Sequence, residues 1–525
     1  MPPDWLLCST TVRRQRRSPL PVTCLALLLT GALFAACAVD QGVTATRSQV
    51  SPDDQPATTG DEPPSTDEQP TDDTLIPDDT TVDEPPDDYQ VIPGIIDFGD
   101  EHEAKDYDAL LTTAIADMNQ FWEAAYPELY GDAWQPLEGG IYAAYPGRAD
   151  GEIPDCGGEE STYRTVRDRG AFYCSFGDFI AYDDADLLPG LDKKLGPEAV
   201  AIVIAHELGH AVQQRSDNMA REQVILLEQQ ADCFAGAWAA RVTNGDSDTI
   251  HFDDADVRAG LIAMIEFRDP VEAGGLNNAE AHGTGFDRVG AFQDGFTGGA
   301  ERCKSFFDED RLDQLIDIPF DPTDPLGGNL PLVDSSGDGS DIVTLLPQSL
   351  DFFWEAIAQQ QGIDFTPPTF SPFPGDGPYP ECDGIDESAY KGQAVYCASD
   401  NTIHWDEDTA AQLASDETTG DLSVGYLFAY AYAEAIRQVA GNEDEGEARG
   451  LTDDCLSGAY IGAVVPPVPA DAPISLSAGD LDEAIVTVIS RSDPSSDTNI
   501  VGSAFERIAA FREGVLGGLA GCGLG

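Results

Sequence analysis

From about residue 100 onward the chain states one pattern twice, in the same order and at a near-constant separation. "GTGFDRVGAFQDGFTGGAERC", ending at Cys303, is echoed by "GSAFERIAAFREGVLGGLAGC", ending at Cys522. "ADCFAGAW" around Cys233 is echoed by "DDCLSGAY" around Cys455, and "AFYCSFGDFIAYDD" around Cys174 by "AVYCASDNTIHWDED" around Cys397. "MNQFWEAAYPEL" and "LDFFWEAIAQQQ" open the two copies. The cysteines of the two copies are separated by 219 residues (Cys303 to Cys522) to 226 (Cys156 to Cys382), and the opening blocks by 232 (Trp122 to Trp354). Composition alone does not align four blocks in this way. The folded body is expected to be a tandem duplication, each copy building the same module.

Each copy holds four cysteines at corresponding places, and an even set in an exported chain favours disulfides. The simplest pairing stays inside each copy: Cys156–Cys174 and Cys233–Cys303, then Cys382–Cys397 and Cys455–Cys522. Bridges between the copies are the alternative.

Export is suggested by the first 40 residues. "VRRQRR" precedes an apolar run from Leu20 to Ala36, and Cys37 follows. The run is slightly short for a transmembrane helix, which needs ~20 apolar residues. "LFAAC" resembles a bacterial lipobox, so Cys37 is the expected lipid-bearing residue at the membrane. Plain secretion or an uncleaved N-terminal helix are the alternatives. The stretch after Cys37 is rich in Pro, Thr, Asp and Glu and has almost nothing to bury, so it is expected to be a disordered, self-repelling tether.

The expected organisation is a signal peptide at 1–36, the tether at 37–96, a first module at 97–310, a turn-rich linker at 311–340 and a second module at 341–525. Lys and Arg number 27 against 96 Asp and Glu, a net charge of -69. Such a surface repels phosphate backbones, which argues against nucleic acid as a partner.

The fold class expected for each module is α+β, mainly helical with a small sheet. Lys105 to Ala125 places apolar residues at helical spacing. "RGAFYCSFGDFIAYDD" alternates apolar and polar residues between turn signals and predicts strand, turn, strand. Gly196 and Pro197 open a helix that runs to about Arg215. Further helices are expected at Met219 to Val242, Asp254 to Arg268 and Gly285 to about Gly298.

The chemistry sits in "VIAHELGHAVQQR", Val203 to Arg215. Helical positions i and i+4 share one face, so His206 and His210 can direct ring nitrogens at one ion. Glu207, ~100° around the helix, cannot join them but can reach a water on that ion. A catalytic zinc usually takes three protein ligands. The candidate for the third is Glu228, on the next expected helix, with Asp232 one turn beyond it to accept a hydrogen bond from the other nitrogen of a ligand histidine.

The second copy serves as an internal control. There Tyr430 stands opposite His206, Ala431 opposite Glu207, Glu434 opposite His210 and Gly450 opposite Glu228. The cysteines and apolar positions persist while the candidate ligands and base are gone. Asp232 keeps a counterpart in Asp454, which gives it a partly structural role. His282, opposite Val501, is a candidate for donating to an oxyanion or for a structural contact near the metal. His102, His251 and His404 have no such pattern and are expected at the surface.

"VIAHELGHAVQQ", "LEQQADCFAGAWA", "FYCSFGDFIAYDD" and "AHGTGFDRVGAFQDGFTGG" together resemble the bacterial neutral zinc metallopeptidase family, over about residues 100 to 305. The resemblance implies a zincin-like domain with Zn2+ on His206, His210 and Glu228, Glu207 as catalytic base, and a peptide or protein substrate. The usual "E-L-Q-A-D" appears here as "EQQAD". The expected function is a zinc peptidase tethered at the cell surface. The alternative is a non-enzymatic surface scaffold whose zinc is structural or vestigial.

Overall fold

Helices dominate both halves of the chain, and each half carries one small sheet. The computed structural model describes residues 89–523 except 220–222, 272–280, 308–310, 322, 324–327, 338, 417 and 492–502. The export segment, Cys37 and most of the tether lie outside the described residues. Among the described residues no helix is long and apolar enough to cross a membrane.

The first half runs α1 (Asp108–Tyr130), β1 (Gly140–Ala144), α2 (Tyr163–Arg169), β2 (Ala171–Cys174), β3 (Phe179–Asp183), α3 (Leu187–Leu195), α4 (Pro197–Arg215), α5 (Val224–Thr243), α6 (Asp254–Glu266) and α7 (Gly285–Lys304). The second runs α8 (Ile342–Gln361), β4 (Thr369–Phe373), β5 (Ala394–Cys397), β6 (Thr402–Asp406), α9 (Glu407–Ser415), α10 (Asp421–Val439), α11 (Gly446–Ala463), α12 (Asp480–Arg491) and α13 (Ala504–Gly521). The element order of the first half thus recurs in the second, with a short 3-10 turn at Glu387–Ala389 in the place of α2.

The sheets also match. In the first, β3 is central, parallel to β1 and antiparallel to β2; in the second, β6 is central, parallel to β4 and antiparallel to β5. The expected strand–turn–strand is present at β2 and β3. Its turn places Asp178 at φ 51° and, in the second half, Asn401 at φ 54°. Each accepts a hydrogen bond from the tyrosine of the preceding strand, Tyr173 at 2.7 Å and Tyr396 at 3.0 Å. β2 and β3 are buried along their whole length, with Ile153, Cys156 and Val166 packed on one side of them.

The four expected disulfides are formed within the halves: Cys156–Cys174, Cys233–Cys303, Cys382–Cys397 and Cys455–Cys522. Cys233–Cys303 ties α5 to the end of α7 across 70 residues. Replacing both of these cysteines by alanine is expected to cost about 4 kcal/mol, read as a lower denaturant midpoint, through the longer loop released in the unfolded chain.

Helix ends differ from the pattern-based expectation where tertiary contacts intervene. α1 was expected to stop at Ala125 but continues through Pro127 and closes at Gly131, whose N–H reaches the Pro127 carbonyl. α7 was expected to end near Gly298. It kinks at Gly299, φ 66°, and resumes to Lys304, and α13 repeats the kink at Gly518, φ 57°. β1, α2 and α3 carry too few residues for a clear period and were not foreseen.

The two halves share one apolar core. Gln293 of α7 donates to the Phe505 carbonyl at 2.8 Å, and the rings of Phe296 and Phe505 lie 4.6 Å apart. The Asp482 carboxylate of α12 accepts the Phe286 N–H at 2.8 Å near the start of α7. Arg311, placed by the sequence at the start of a linker, is instead buried, bonded to Asp294 at 3.0 Å and to Gln229 at 3.2 Å. A guanidinium has to be desolvated to sit there, and these two acceptors are what make the site tenable.

Candidate metal centre

α4 is buried on nearly every side, from Ala199 to Gln213. A helix in such a setting is normally apolar all round. His206, Glu207, His210 and Gln213 break that rule, and each buried polar atom then needs a partner or a ligand.

α5 crosses beside α4 closely enough to bring Glu228 to the two histidines. Gly209 allows the approach, since a Cβ there would stand 3.0 Å from the Ala231 Cα and 3.2 Å from its carbonyl oxygen. His206 Nε2 lies 3.2 Å from Glu228 Oε2, and His210 Nε2 lies 3.5 Å from Glu228 Oε1. All three residues are buried, with ligand-type atoms within 4.8 Å of one another.

The far side of each imidazole is fixed. His206 Nδ1 donates to Asp232 Oδ1 at 2.7 Å. His210 Nδ1 donates to Gln213 Oε1 at 2.9 Å, and the Gln213 amide is oriented by its own bond to the Leu227 carbonyl at 2.7 Å. With both Nδ1 protons committed, both Nε2 atoms offer lone pairs toward Glu228, as metal-binding histidines do. Asp232 is clamped in turn by Arg288, through Nε to Oδ2 and Nη2 to Oδ1, both at 2.8 Å.

The electrostatics ask for positive charge at this point. Burial opposes a charged imidazole, yet Asp232 and Glu228 outweigh it and raise His206 to about 10. Burial would raise Glu228, but the two histidines hold it well below the ordinary carboxylate range. Without a cation the acidic groups recruit protons onto the rings; a divalent ion supplies that charge and leaves the rings neutral. One imidazole pair, one carboxylate and their fixed orientation suit zinc. Glu207 fits the same picture: it is 1 % exposed, and its Oε2 is buried without a hydrogen-bond partner.

His282 lies near enough for its charge to act on Glu228. Asp269 holds it, accepting from Nδ1 at 2.8 Å and from the backbone N–H groups of His282 and Gly283 at 2.8 and 3.0 Å. A pocket opens beside this pair. Its walls include Ala281 and Gly283 from the first half and Ala478, Leu481 and Asp482 from the second. The second half therefore borders the His282 region.

The second half shows the same scaffold without the donors. Arg507 clamps Asp454 through Nε to Oδ2 at 2.8 Å and Nη2 to Oδ1 at 3.0 Å, as Arg288 clamps Asp232. The hydrogen bond that His206 makes in the first half is made here by the Tyr426 hydroxyl, 2.5 Å from Asp454 Oδ1. Tyr426 sits one turn before the position aligned with His206, a substitution that sequence alignment alone does not show. Gln213, Arg288 and Asp269 were not singled out from the sequence. The pair "FDRVGAF" and "FERIAAF" held the signal for Arg288, while nothing in the pattern marked Asp269. Of the histidines expected at the surface, His251 is exposed. His102 and His404 are not: their side chains are 9 % and 12 % exposed, His102 beside the buried Asp184 and His404 beside the exposed Asp400.

A mainly helical α+β body with H-E-x-x-H on one buried helix and Glu228 on the next defines a zinc-metallopeptidase type of site. Residues 105–306 match the family model described as "Putative neutral zinc metallopeptidase", a family whose cofactor is Zn2+. Among relatives, "Uncharacterized protein Rv2575" of Mycobacterium tuberculosis is 28% identical over 235 residues, 39% of this chain and 78% of its own length. "Uncharacterized protein YpfJ" of Escherichia coli strain K12 is 30% identical over 156 residues, 26% of this chain and 54% of its own length. No solved structure matches.

Proposed function

We propose that the protein is a zinc-dependent peptidase that hydrolyses peptide bonds with Glu207 as general base. The observation that carries this reading is the convergence of His206, His210 and Glu228 in a buried helix pair, beside a buried Glu207 carboxylate with an unpartnered oxygen. A site serving only to hold structure has no use for that fourth group.

His206, His210 and Glu228 would hold the ion, with Asp232 and Gln213 keeping the two rings in register. Zinc, when bound, supplies Lewis-acid chemistry and lowers the pKa of a water toward ~7. Glu207 takes the proton of the attacking water and returns it to the leaving amine. His282, its Nδ1 committed to Asp269, has Nε2 left to donate to the oxygen on which charge develops.

Export, with Cys37 lipidated and the acidic segment holding the body off the membrane, is part of the same proposal. It rests on the order of basic run, apolar run, cysteine and acidic stretch. The second half is read as a tandem duplicate that has lost the site, supported by the repeated element order, sheet topology, disulfides and Arg–Asp clamp.

Two measurements test the reading. Glu228→Ala is expected to lower zinc affinity by at least about 100-fold in a competition titration, since one of three ligands is lost. Unchanged affinity would remove Glu228 from the ligand set. Purified protein is expected to cut a peptide library and to stop when a chelator is added; tightly held zinc with no cleavage would point to the scaffold reading instead.

A further inference from the structure

A second cluster of ligand-type side chains lies in the first half, away from α4. His102 is in the segment before α1, Asp108 is the first residue of α1, and Asp184 directly follows β3. One nitrogen and two carboxylate oxygens here lie within 4.8 Å of one another. His102 Nε2 is 3.0 Å from Asp184 Oδ2 and 3.8 Å from Asp108 Oδ2. The side chains of Asp108 and Asp184 are only 4 % and 1 % exposed.

Hydrogen bonding does not account for this cluster. His102 Nε2, Asp108 Oδ1, Asp184 Oδ2 and the nearby Tyr182 hydroxyl are all buried without a hydrogen-bond partner. Nε2 and Oδ2 are close enough to bond, but their orientation is not that of a hydrogen bond. Buried polar atoms are otherwise nearly always partnered, so four orphans in one place call for something to bind.

The surroundings hold these donors in place. The Phe98 ring packs 4.5 Å from the His102 ring. The Tyr107 hydroxyl donates to Asp184 Oδ1 at 2.6 Å, and the Lys105 N–H donates to Asp108 Oδ2 at 2.8 Å. Each carboxylate thus has one oxygen oriented by a donor, as outer partners orient metal ligands. The second half offers no equivalent: counted from the matched Trp354 and from β6, the corresponding positions are Ser340 and an exposed Glu407.

We propose that His102, Asp108 and Asp184 bind a second divalent cation, of the zinc or manganese class. One imidazole and two carboxylates suit such ions, and a charge of +2 neutralises the two buried carboxylates. The ion would pin the segment entering α1 to the end of β3. It is independent of the peptidase reading, since none of the three residues belongs to the site on α4 and α5.

The test counts metal in the full chain after equilibration with Zn2+ or Mn2+ and desalting. His206→Ala/His210→Ala, which lacks the first site, is expected to retain about one ion per chain and to melt at a higher temperature when either ion is added. Adding His102→Gln or Asp184→Asn is expected to remove that ion and the thermal shift. Failure of His206→Ala/His210→Ala to retain either ion overturns the proposal, as a protonated His102 bridging two carboxylates would bind none. That outcome is readable even if the His102 variants do not fold. Retention that is indifferent to both His102→Gln and Asp184→Asn in folded protein overturns it as well, because acidic residues elsewhere would then be holding the metal.

Discussion

Glu207→Gln is expected to lower kcat/KM for peptide hydrolysis by about 10²–10⁴-fold while leaving zinc occupancy unchanged. The amide is nearly the same shape as the carboxylate but cannot accept the proton of water. Glu207 is not among the residues whose ligand-type atoms converge with Glu228, so the ion has no reason to leave. Removal of a histidine or Glu228 should lose metal and activity together. The split between the two outcomes identifies a base as distinct from a ligand. Retention of full activity in a zinc-loaded Glu207→Gln protein would assign proton transfer to another group.

Arg288→Ala carries the largest expected effect on stability, about 3–5 kcal/mol, because it leaves the Asp232 carboxylate buried without its guanidinium. The same change should weaken zinc binding by about 10–100-fold, since Asp232 orients His206 and outer partners of this kind have effects of that size. Arg507→Ala is the matched control. Its partner Asp454 is equally buried and equally clamped, but no histidine stands on the other side. It should cost similar stability and leave zinc affinity alone. Denaturant midpoints and zinc titrations on the two variants separate the roles. Equal zinc affinities would confine the Asp232–Arg288 pair to structure.

The candidate site was largely legible in the sequence because most of it is local. His206, Glu207 and His210 sit within one and a half turns, and helical geometry alone orders them. Glu228 and Asp232 needed only a second helix returning beside the first. The absence of His206, Glu207, His210 and Glu228 from the matching places in the second half then separated chemistry from packing. The repeat also made the disulfide pairing readable, since corresponding cysteines recur at a nearly fixed separation.

What stayed hidden depends on contacts between distant segments. Asp269 reaches His282 across a stretch without periodicity, and Asp482 reaches the start of α7 from the other half of the chain. His102 was expected in solvent because it stands in no ligand pattern; it is held by Asp184, which directly follows β3 and lies 82 residues further along the chain. Arg311 read as linker because the stretch it opens is turn-rich, yet it reaches Gln229. Local pattern reports which face of a segment is apolar, but not which polar group elsewhere has been buried in need of a partner.

The sequence by itself determined that one order of helices, strands and cysteines recurs, where those cysteines pair and which helix carries the paired histidines, because spacing along a helix and repetition along a chain are one-dimensional properties. Only the tertiary structure decided how tightly α5 approaches α4, which residues hold the imidazoles by their Nδ1 atoms, and that the second half walls the region around His282. Those are set by desolvation: a buried donor, acceptor or charge must be met by whatever group the fold brings near it, from any distance in sequence.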